Sequence, residues 1–225
     1  MNPVQRLIRY ASAWSQLPRL RSLSLESCSL EELVDAVFAY AGEFLAPIQV
    51  KEEILGALRL IAAIKPRYIL EIGTSMGGTL YLWTRIAHPE ATIVTLDLHG
   101  GEFGGGYSPL RAPIYRRLAR PSQKLHLVLG DSHQPETLAL ARQYLDNHEV
   151  DFLFTDADHT EAGVRTDYSM YSGLVRKGGI IMLHDIAIPN PEYGVRKLWQ
   201  EISPAHDSRE FIGESRAYGL GLLYR

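Results

Sequence analysis

The sequence predicts an α/β protein: a doubly wound, seven-stranded sheet, five strands parallel and two forming a C-terminal antiparallel hairpin, with a helical N-terminal extension. Three observations predict it. Short, doubly apolar segments alternate with helical patterns from Tyr68 to Ile202, which calls for a parallel sheet covered on both faces. The first of these segments runs straight into a glycine-bearing turn that opens a helix. The last two strand candidates are separated only by Glu214–Tyr218, too short for a crossover, so they must pair as a hairpin. At 225 residues the chain accommodates one well-buried α/β domain and a short appendage. The organisation read is therefore a helical extension over residues 1–49 and an α/β domain over residues 50–225.

Two helical stretches come first. Ser29 and Glu32 form a capping box ahead of Leu30–Tyr40, whose apolar residues recur at helical spacing. Val50, Ile54, Leu58 and Ile61 form one stripe of a second helix ending near Lys65-Pro66. Such segments either cover a substrate pocket or form a homodimer contact. Strands then follow near Tyr68–Ile72, Thr92–Asp97, Leu125–Leu129, Asp151–Thr155 and Ile180–His184, with helices near Thr79–Ala87, Pro113–Arg120, Gln134–Asn147 and Glu161–Val175. Lys177-Gly178-Gly179 reads as a helix-stopping turn. A last helix near Glu192–Ile202 precedes the strand candidates Glu210–Gly213 and Gly219–Tyr224. There are no internal repeats and no low-complexity linker.

Composition excludes several classes of function. Hydrophobic residues at 46% and charged residues at 22% are ordinary for a globular protein, and a net charge of −3 offers no field for nucleic acid or an anionic membrane. Arg111, Arg116, Arg117 and Arg120 crowd one short segment and read as a solvated helix face. No run of 18 apolar residues exists, so no membrane span is expected. The N-terminus lacks a signal-type apolar core; its arginines, ahead of Glu26, read as an ordinary helix rather than a transit peptide. The single Cys28 rules out an internal disulfide and a cysteine-based metal site, which suits a reducing cytoplasm.

Tyr68-Ile-Leu-Glu-Ile-Gly-Thr-Ser-Met-Gly-Gly-Thr79 is the most informative segment. A glycine turn between strand and helix lets a ligand approach the backbone, and the helix N-terminus offers unpaired N–H groups to an anion. Asp97, at the tip of the second strand, is placed to accept both hydroxyls of a ribose. A dinucleotide fingerprint needs a second glycine where Ser75 stands, and a phosphate-binding Gly-Lys-Ser/Thr is absent, since no lysine lies between Lys65 and Lys124. A ligand whose anionic end is a carboxylate fits better. S-adenosylmethionine is such a ligand, with its carboxylate at the helix N-terminus and Thr79, and its ribose on Asp97.

Ligands in open α/β sheets bind beyond the carboxyl ends of the strands. After strand three, Asp131 can accept from an adenine amino group and Ser132 can contact the ring edge; the alternative for Asp131 is a helix N-cap. After strand four, Asp158 and Glu161 make a capping box, whereas Asp156 sits at the strand tip where a ligand must lie. Strand five ends in His184-Asp185. Asp156, His184 and Asp185 can form a divalent-cation site open to substrate; the alternative is a satisfied core histidine and a capping Asp185. His159, three residues past Asp156, can accept a proton near neutral pH. His99–Pro109 is a glycine-rich loop whose Glu102, Phe103 and Tyr107 could grip a ligand on closing.

With these residues in view, residues 50–225 resemble the class I S-adenosylmethionine-dependent methyltransferases, which have a Rossmann-like fold. Within them the chain is similar to the O-methyltransferase group of catechol and caffeoyl-CoA enzymes, and more so to the cephalosporin-hydroxylase-type branch. The resemblance rests on Leu70–Thr79, Asp97, Gly130-Asp-Ser132, Asp156–His159 and Gly178–Asp185. It implies a cofactor site drawn from Glu71, Gly73, Thr74, Ser75, Gly78, Thr79, Asp97, Leu98, Asp131, Ser132 and Asp156. It implies a metal site at Asp156, His184 and Asp185, with Mg²⁺ as the candidate ion, although His184-Asp185 stands where the catechol-type enzymes carry Asp-Asn. His159 stands where those enzymes carry a basic lysine.

The implied chemistry is transfer of a methyl group to a hydroxyl of a small molecule, a sugar or natural-product glycoside by analogy, with His159 and Asp156 as catalytic residues. The competing readings are a nicotinamide-dependent oxidoreductase, disfavoured by Ser75 and the closing hairpin, and a non-catalytic nucleoside-binding protein.

Overall fold

The computed structural model describes residues 3–39, 45, 47–100, 106–214 and 218–225, with side chains from Ala11 onward. Three helices precede the sheet: α1 (Pro3–Ser22), α2 (Leu30–Ala39) and α3 (Lys51–Ile64). Then follow β1 (Tyr68–Ile72), α4 (Gly78–Ile86), β2 (Thr92–Asp97), α5 (Ala112–Arg116), β3 (Lys124–Leu129), α6 (Pro135–Tyr144), β4 (Val150–Thr155), α7 (Glu161–Tyr171), β5 (Val175–His184), α8 (Val195–Ile202), β6 (Asp207–Phe211) and β7 (Leu220–Tyr224).

The strands form one seven-stranded sheet in the order β3-β2-β1-β4-β5-β7-β6. The first five are parallel, and β7 pairs antiparallel with both β5 and β6. The expected five-plus-two sheet is what the chain builds. Alternation along β1 shows why both faces are apolar. Ile69 joins a core with α1 to α5, through Leu17, Val37, Leu58, Trp83 and Tyr115, whereas Leu70 and Ile72 join a second core with α6 to α8, through Ala141, Val164 and Trp199. The N-terminal helices contribute Leu17, Leu20, Val34 and Val37 to the first core. No helix among the described residues is long and apolar enough to cross a membrane.

The capping box at α2 is present: Glu32 N donates to Ser29 Oγ at 3.1 Å, and Ser29 N donates to Glu32 Oε2 at 2.8 Å. The α3 helix is fastened to the hairpin through buried Glu53, which accepts from Gly213 N at 2.6 Å and Gly219 N at 3.1 Å.

Several expected boundaries move. The turn expected at Lys177-Gly178-Gly179 lies inside β5: the register with β4 shifts between Val150 and Phe152, and Gly178 takes φ +73°. This irregularity lets the strand begin at Val175 and still present Ile180–Leu183 to β4, so the glycines bend the strand rather than ending a helix. The helix expected to reach Val175 stops at Tyr171 and passes into a 3-10 turn. The one expected to reach Asn147 stops at Tyr144, because Asp146 and Asn147 are both left-handed. The expected capping box of Asp158 with Glu161 is also different: Thr160 caps α7 by accepting from Gly163 N at 3.0 Å, and Asp158 accepts from Thr160 N at 2.8 Å. Asp158 therefore shapes the turn before the cap.

Candidate active site

The strand order reverses direction between β1 and β4, and the crevice at that switch point is where an open α/β sheet binds ligands. Gly73 follows β1 with φ +97°, and a Cβ there would stand 2.0 Å from the backbone oxygen of Asp156. Only glycine lets the β1 and β4 tips approach this closely. A cavity of about 560 Å³ opens from this point, within the usual range for a small-molecule site. One arm is lined by Gly73, Ser75, Asp97, Leu98, Asp131 and Ser132; the other by Asp156, His159, His184, Asp185, Tyr193 and Tyr218.

The turn after β1 is held in place by carboxylates on both sides. Asp97 Oδ2 accepts from Thr74 N at 3.0 Å and Ser75 N at 2.6 Å, and Oδ1 accepts from Leu98 N at 2.7 Å. A carboxylate has lone pairs beyond these three donors, so Asp97 keeps capacity for ligand hydroxyls. Ser75 is left-handed at φ +45°, and its carbonyl accepts from Tyr115 Oη at 2.8 Å. Behind the turn, fully buried Glu71 accepts from Thr79 Oγ1 at 2.8 Å, Trp83 Nε1 at 2.7 Å and Thr95 Oγ1 at 2.7 Å. Burial pushes its carboxyl up to about 7, against the pull of those three donors.

Four residues of the expected cofactor set therefore line no part of the cavity. Glu71, Thr74 and Gly78 are buried behind the turn, and the Thr79 hydroxyl is committed to Glu71. The N-terminus of α4 is covered as well: a Cβ on Gly78 would stand 2.7 Å from Pro47 N and 2.8 Å from Leu45 O. Alternation along β1 sends Glu71 to the face covered by α1 to α5, where it meets Trp83, and so away from the cavity. Ser132 lines the cavity, but its hydroxyl donates to Asp167 Oδ1 at 2.7 Å, leaving only its remaining atoms to face a ligand. Asp131 caps its own turn, accepting from His133 N and from Gln134 Nε2, each at 2.9 Å, while lining the cavity. In the glycine-rich loop, Tyr107 is buried edge-on against Tyr115, and Glu102 and Phe103 lie outside the described residues.

At the other arm the four expected residues converge. Asp156 Oδ1 accepts from His184 Nδ1 at 3.0 Å; His184 Nδ1 also lies 3.1 Å from Asp185 Oδ1. His159 Nδ1 lies 2.5 Å from Asp185 Oδ2, and its Nε2 lies 3.9 Å from Asp156 Oδ1. Asp185 is left-handed at φ +68°, an unfavourable backbone state of the kind that clusters at functional sites. Burial opposes charge on His184, but the carboxylates of Asp156 and Asp185 outweigh it and push the imidazole up to about 9. The same balance raises His159, with Asp185 its nearest partner. Two carboxylates thus face two imidazoles in a buried cluster.

One ligand atom from each of Asp156, His184 and Asp185 lies within 4.8 Å of the others. His184 Nε2 is buried without a hydrogen-bond partner among the described residues. This donor set fits a divalent cation: the two carboxylates suit a hard ion such as Mg²⁺, and the imidazole adds affinity for Mn²⁺ and later metals.

Sequence reasoning missed three contributors. Tyr193 lies 5.2 Å from the His159 ring, and Tyr218 stacks on His184 at 5.6 Å. Gln49 donates to Asp156 Oδ2 at 2.8 Å from 107 positions away, a contact no local pattern signals.

Residues 70–186, more than half of the chain, match the family described as a methyltransferase domain, and the chain belongs to that family. Its sheet is the Rossmann-like class I methyltransferase sheet. The assignment sets aside the oxidoreductase alternative. Among curated proteins it is 25% identical over 169 residues to an uncharacterized protein, y4gI, of Sinorhizobium fredii; the match takes in 73% of this chain and the chain spans only 18% of that protein's length. Three solved structures share the fold. An O-methyltransferase from Bacillus cereus, crystallised with S-adenosylhomocysteine, is 20% identical over 88% of this chain and 91% of that one, with a TM-score of 0.56. The calicheamicin methyltransferase CalS11 is 17% identical over 95% and 91%, with a TM-score of 0.61. MycE of the mycinamycin pathway, in complex with Mg, S-adenosylhomocysteine and mycinamycin VI, is 19% identical over 88% and 54%, with a TM-score of 0.55.

Proposed function

We propose that this chain is an S-adenosylmethionine-dependent O-methyltransferase acting on a hydroxylated small molecule, with a divalent cation in its site. The observation that carries the reading is the single cavity joining the Gly73–Ser75 turn and Asp97 to the Asp156–His159–His184–Asp185 cluster. The S-adenosylhomocysteine bound in the Bacillus cereus and MycE structures supports it, as does the Mg of MycE. Residues 50–225 form the transferase domain, and α1 and α2 ahead of it cover one of its faces.

When bound, S-adenosylmethionine supplies an already electrophilic methyl group, and a divalent cation lowers the pKa of a hydroxyl coordinated to it. The chain's own part is positioning and proton removal. Asp97 holds the ribose hydroxyls, Asp131 the adenine amino group, and Gly73 and Ser75 the backbone of the methionine end. Asp156, His184 and Asp185 hold the cation and, beside it, the acceptor hydroxyl. His159, steered by Asp185, takes the proton. Tyr193, Tyr218, Ile48 and Ile188 give that arm apolar walls, and no Lys or Arg stands among the described lining residues. Those walls suit an uncharged ring with an apolar face, such as a sugar of a natural-product glycoside.

Calorimetric titration with S-adenosylhomocysteine and with NAD tests the cofactor, and release of S-adenosylhomocysteine in the presence of glycoside acceptors tests the turnover. Binding of NAD in preference to S-adenosylhomocysteine would refute the reading.

A further inference from the structure

The stretch from Pro47 to Val50 passes over the N-terminus of α4 and delivers Gln49 to the active site. Gln49 is 4% exposed, and its Nε2 donates to Asp156 Oδ2 at 2.8 Å. The other carboxylate oxygen, Oδ1, receives His184 Nδ1 at 3.0 Å. Two donors from distant parts of the chain therefore fix both oxygens, and with them the plane of the carboxylate. At the far end of the same amide, Gln49 Oε1 is buried without a hydrogen-bond partner among the described residues. An apolar side chain of equal length, such as methionine, would fill the same space without the donor. What the amide alone adds is its donor to Asp156.

We infer that Gln49 is a positioning residue for methyl transfer: it pins Asp156 Oδ2 so that Oδ1 is presented to His184 and to the cation and acceptor beside it. The inference rests on the methyltransferase reading for its chemistry, but the orientation of Asp156 can be observed without any ligand. Removing the donor frees the carboxylate to rotate about its terminal bond, and partners that orient ligating carboxylates in this way are worth about 10–100-fold in metal affinity or activity. Gln49 touches none of the reacting atoms, so its loss should act through Asp156 alone.

The test pairs Gln49→Met with Asp156→Asn and the double variant. In a ligand-free crystal structure of Gln49→Met, the Asp156 carboxylate, then held by His184 alone, should turn so that Oδ2 leaves its present position; an unmoved carboxylate would overturn the inference whether or not the protein binds S-adenosylhomocysteine. In calorimetry, Gln49→Met should weaken Mn²⁺ binding about 10–100-fold while its melting temperature changes little, a combination that a merely structural residue would not produce. In the Asp156→Asn background the same substitution should change Mn²⁺ binding little, and full additivity of the two effects would also overturn the inference. Gln49→Asn, whose amide is one methylene shorter, should recover only part of the loss. If Gln49→Met folds poorly, Gln49→Leu with the same readouts takes its place. Failure of the unsubstituted protein to bind S-adenosylhomocysteine would count against the proposed function alone, since the position of Asp156 still decides the role of Gln49.

Discussion

Replacing Glu71 by glutamine should make the protein more stable at neutral and alkaline pH. Glu71 is fully buried and faces three hydroxyl or indole donors, and burial raises its carboxyl from 4.5 to about 7. Between those values the unfolded chain has released this proton and the folded chain still holds it, so stability falls as pH rises through the window and levels off above it. The gap corresponds to about 3 kcal/mol. A glutamine carries no charge to desolvate. Its Oε1 can accept from Thr79 and Trp83, and its Nε2 can donate to Thr95 Oγ1, which is in turn paired with Thr74 Oγ1. Urea unfolding followed by circular dichroism at several pH values from 4.5 to 8 reads the difference. Wild type and variant should be similar near pH 4.5 and diverge progressively, the variant ahead by about 2–3 kcal/mol at pH 8. Taking the difference between the two proteins cancels other titrating groups. Glu71→Ala, by contrast, leaves the buried Thr79 and Trp83 donors unpaired and opens a void, and should cost about 3–5 kcal/mol. A glutamine variant less stable than wild type at pH 8 would refute the reasoning, because the three donors would then stabilise the charged form more than burial penalises it.

Three further outcomes follow from the geometry. Gly73→Ala puts a methyl group 2.0 Å from Asp156 O at φ +97°, so the β1 and β4 tips must part; a loss of about 2–4 kcal/mol in urea unfolding and loss of S-adenosylhomocysteine binding are expected, and a variant that binds normally would contradict the packing argument. Asp156→Ala should lower the methyl-transfer rate by about 10²-fold or more, and chelator should abolish turnover until Mg²⁺ or Mn²⁺ is restored; full activity in chelator would leave the cluster as an internal ion network. Ser29→Ala removes one half of the α2 capping box and should cost about 1 kcal/mol in thermal unfolding, with cofactor binding unchanged.

Much of this molecule is legible in one dimension. Apolar runs such as Tyr68–Ile72 and Thr92–Asp97 mark the doubly covered strands, but not β6: the edge strand Asp207-Ser-Arg-Glu-Phe211 is polar and largely exposed, and it begins three residues before the expected Glu210–Gly213. The turn after β1 is legible because the chain must leave room at Gly73, and only one residue type does so. Asp97, Asp131, Asp156 and Asp185 are legible because each stands at the end of a strand or just past it, and parallel strands bring their carboxyl ends to one edge.

What the sequence could not decide is which oxygen meets which donor. Period-two alternation places Glu71 opposite the crevice, but that this side holds Thr79, Trp83 and Thr95 became apparent only when α4 and β2 were packed against it. The boundary of β5 depends on a register shift against β4, which no property of Lys177-Gly178-Gly179 alone dictates. Gln49 lies 107 positions from Asp156, and Tyr218 reaches His184 only because the hairpin folds back along β5. Local chemistry determined the elements and the residues gathered at their tips. Long-range packing decided their partners, because a hydrogen bond across the sheet depends on distance and angle, and neither is encoded by neighbours in the chain.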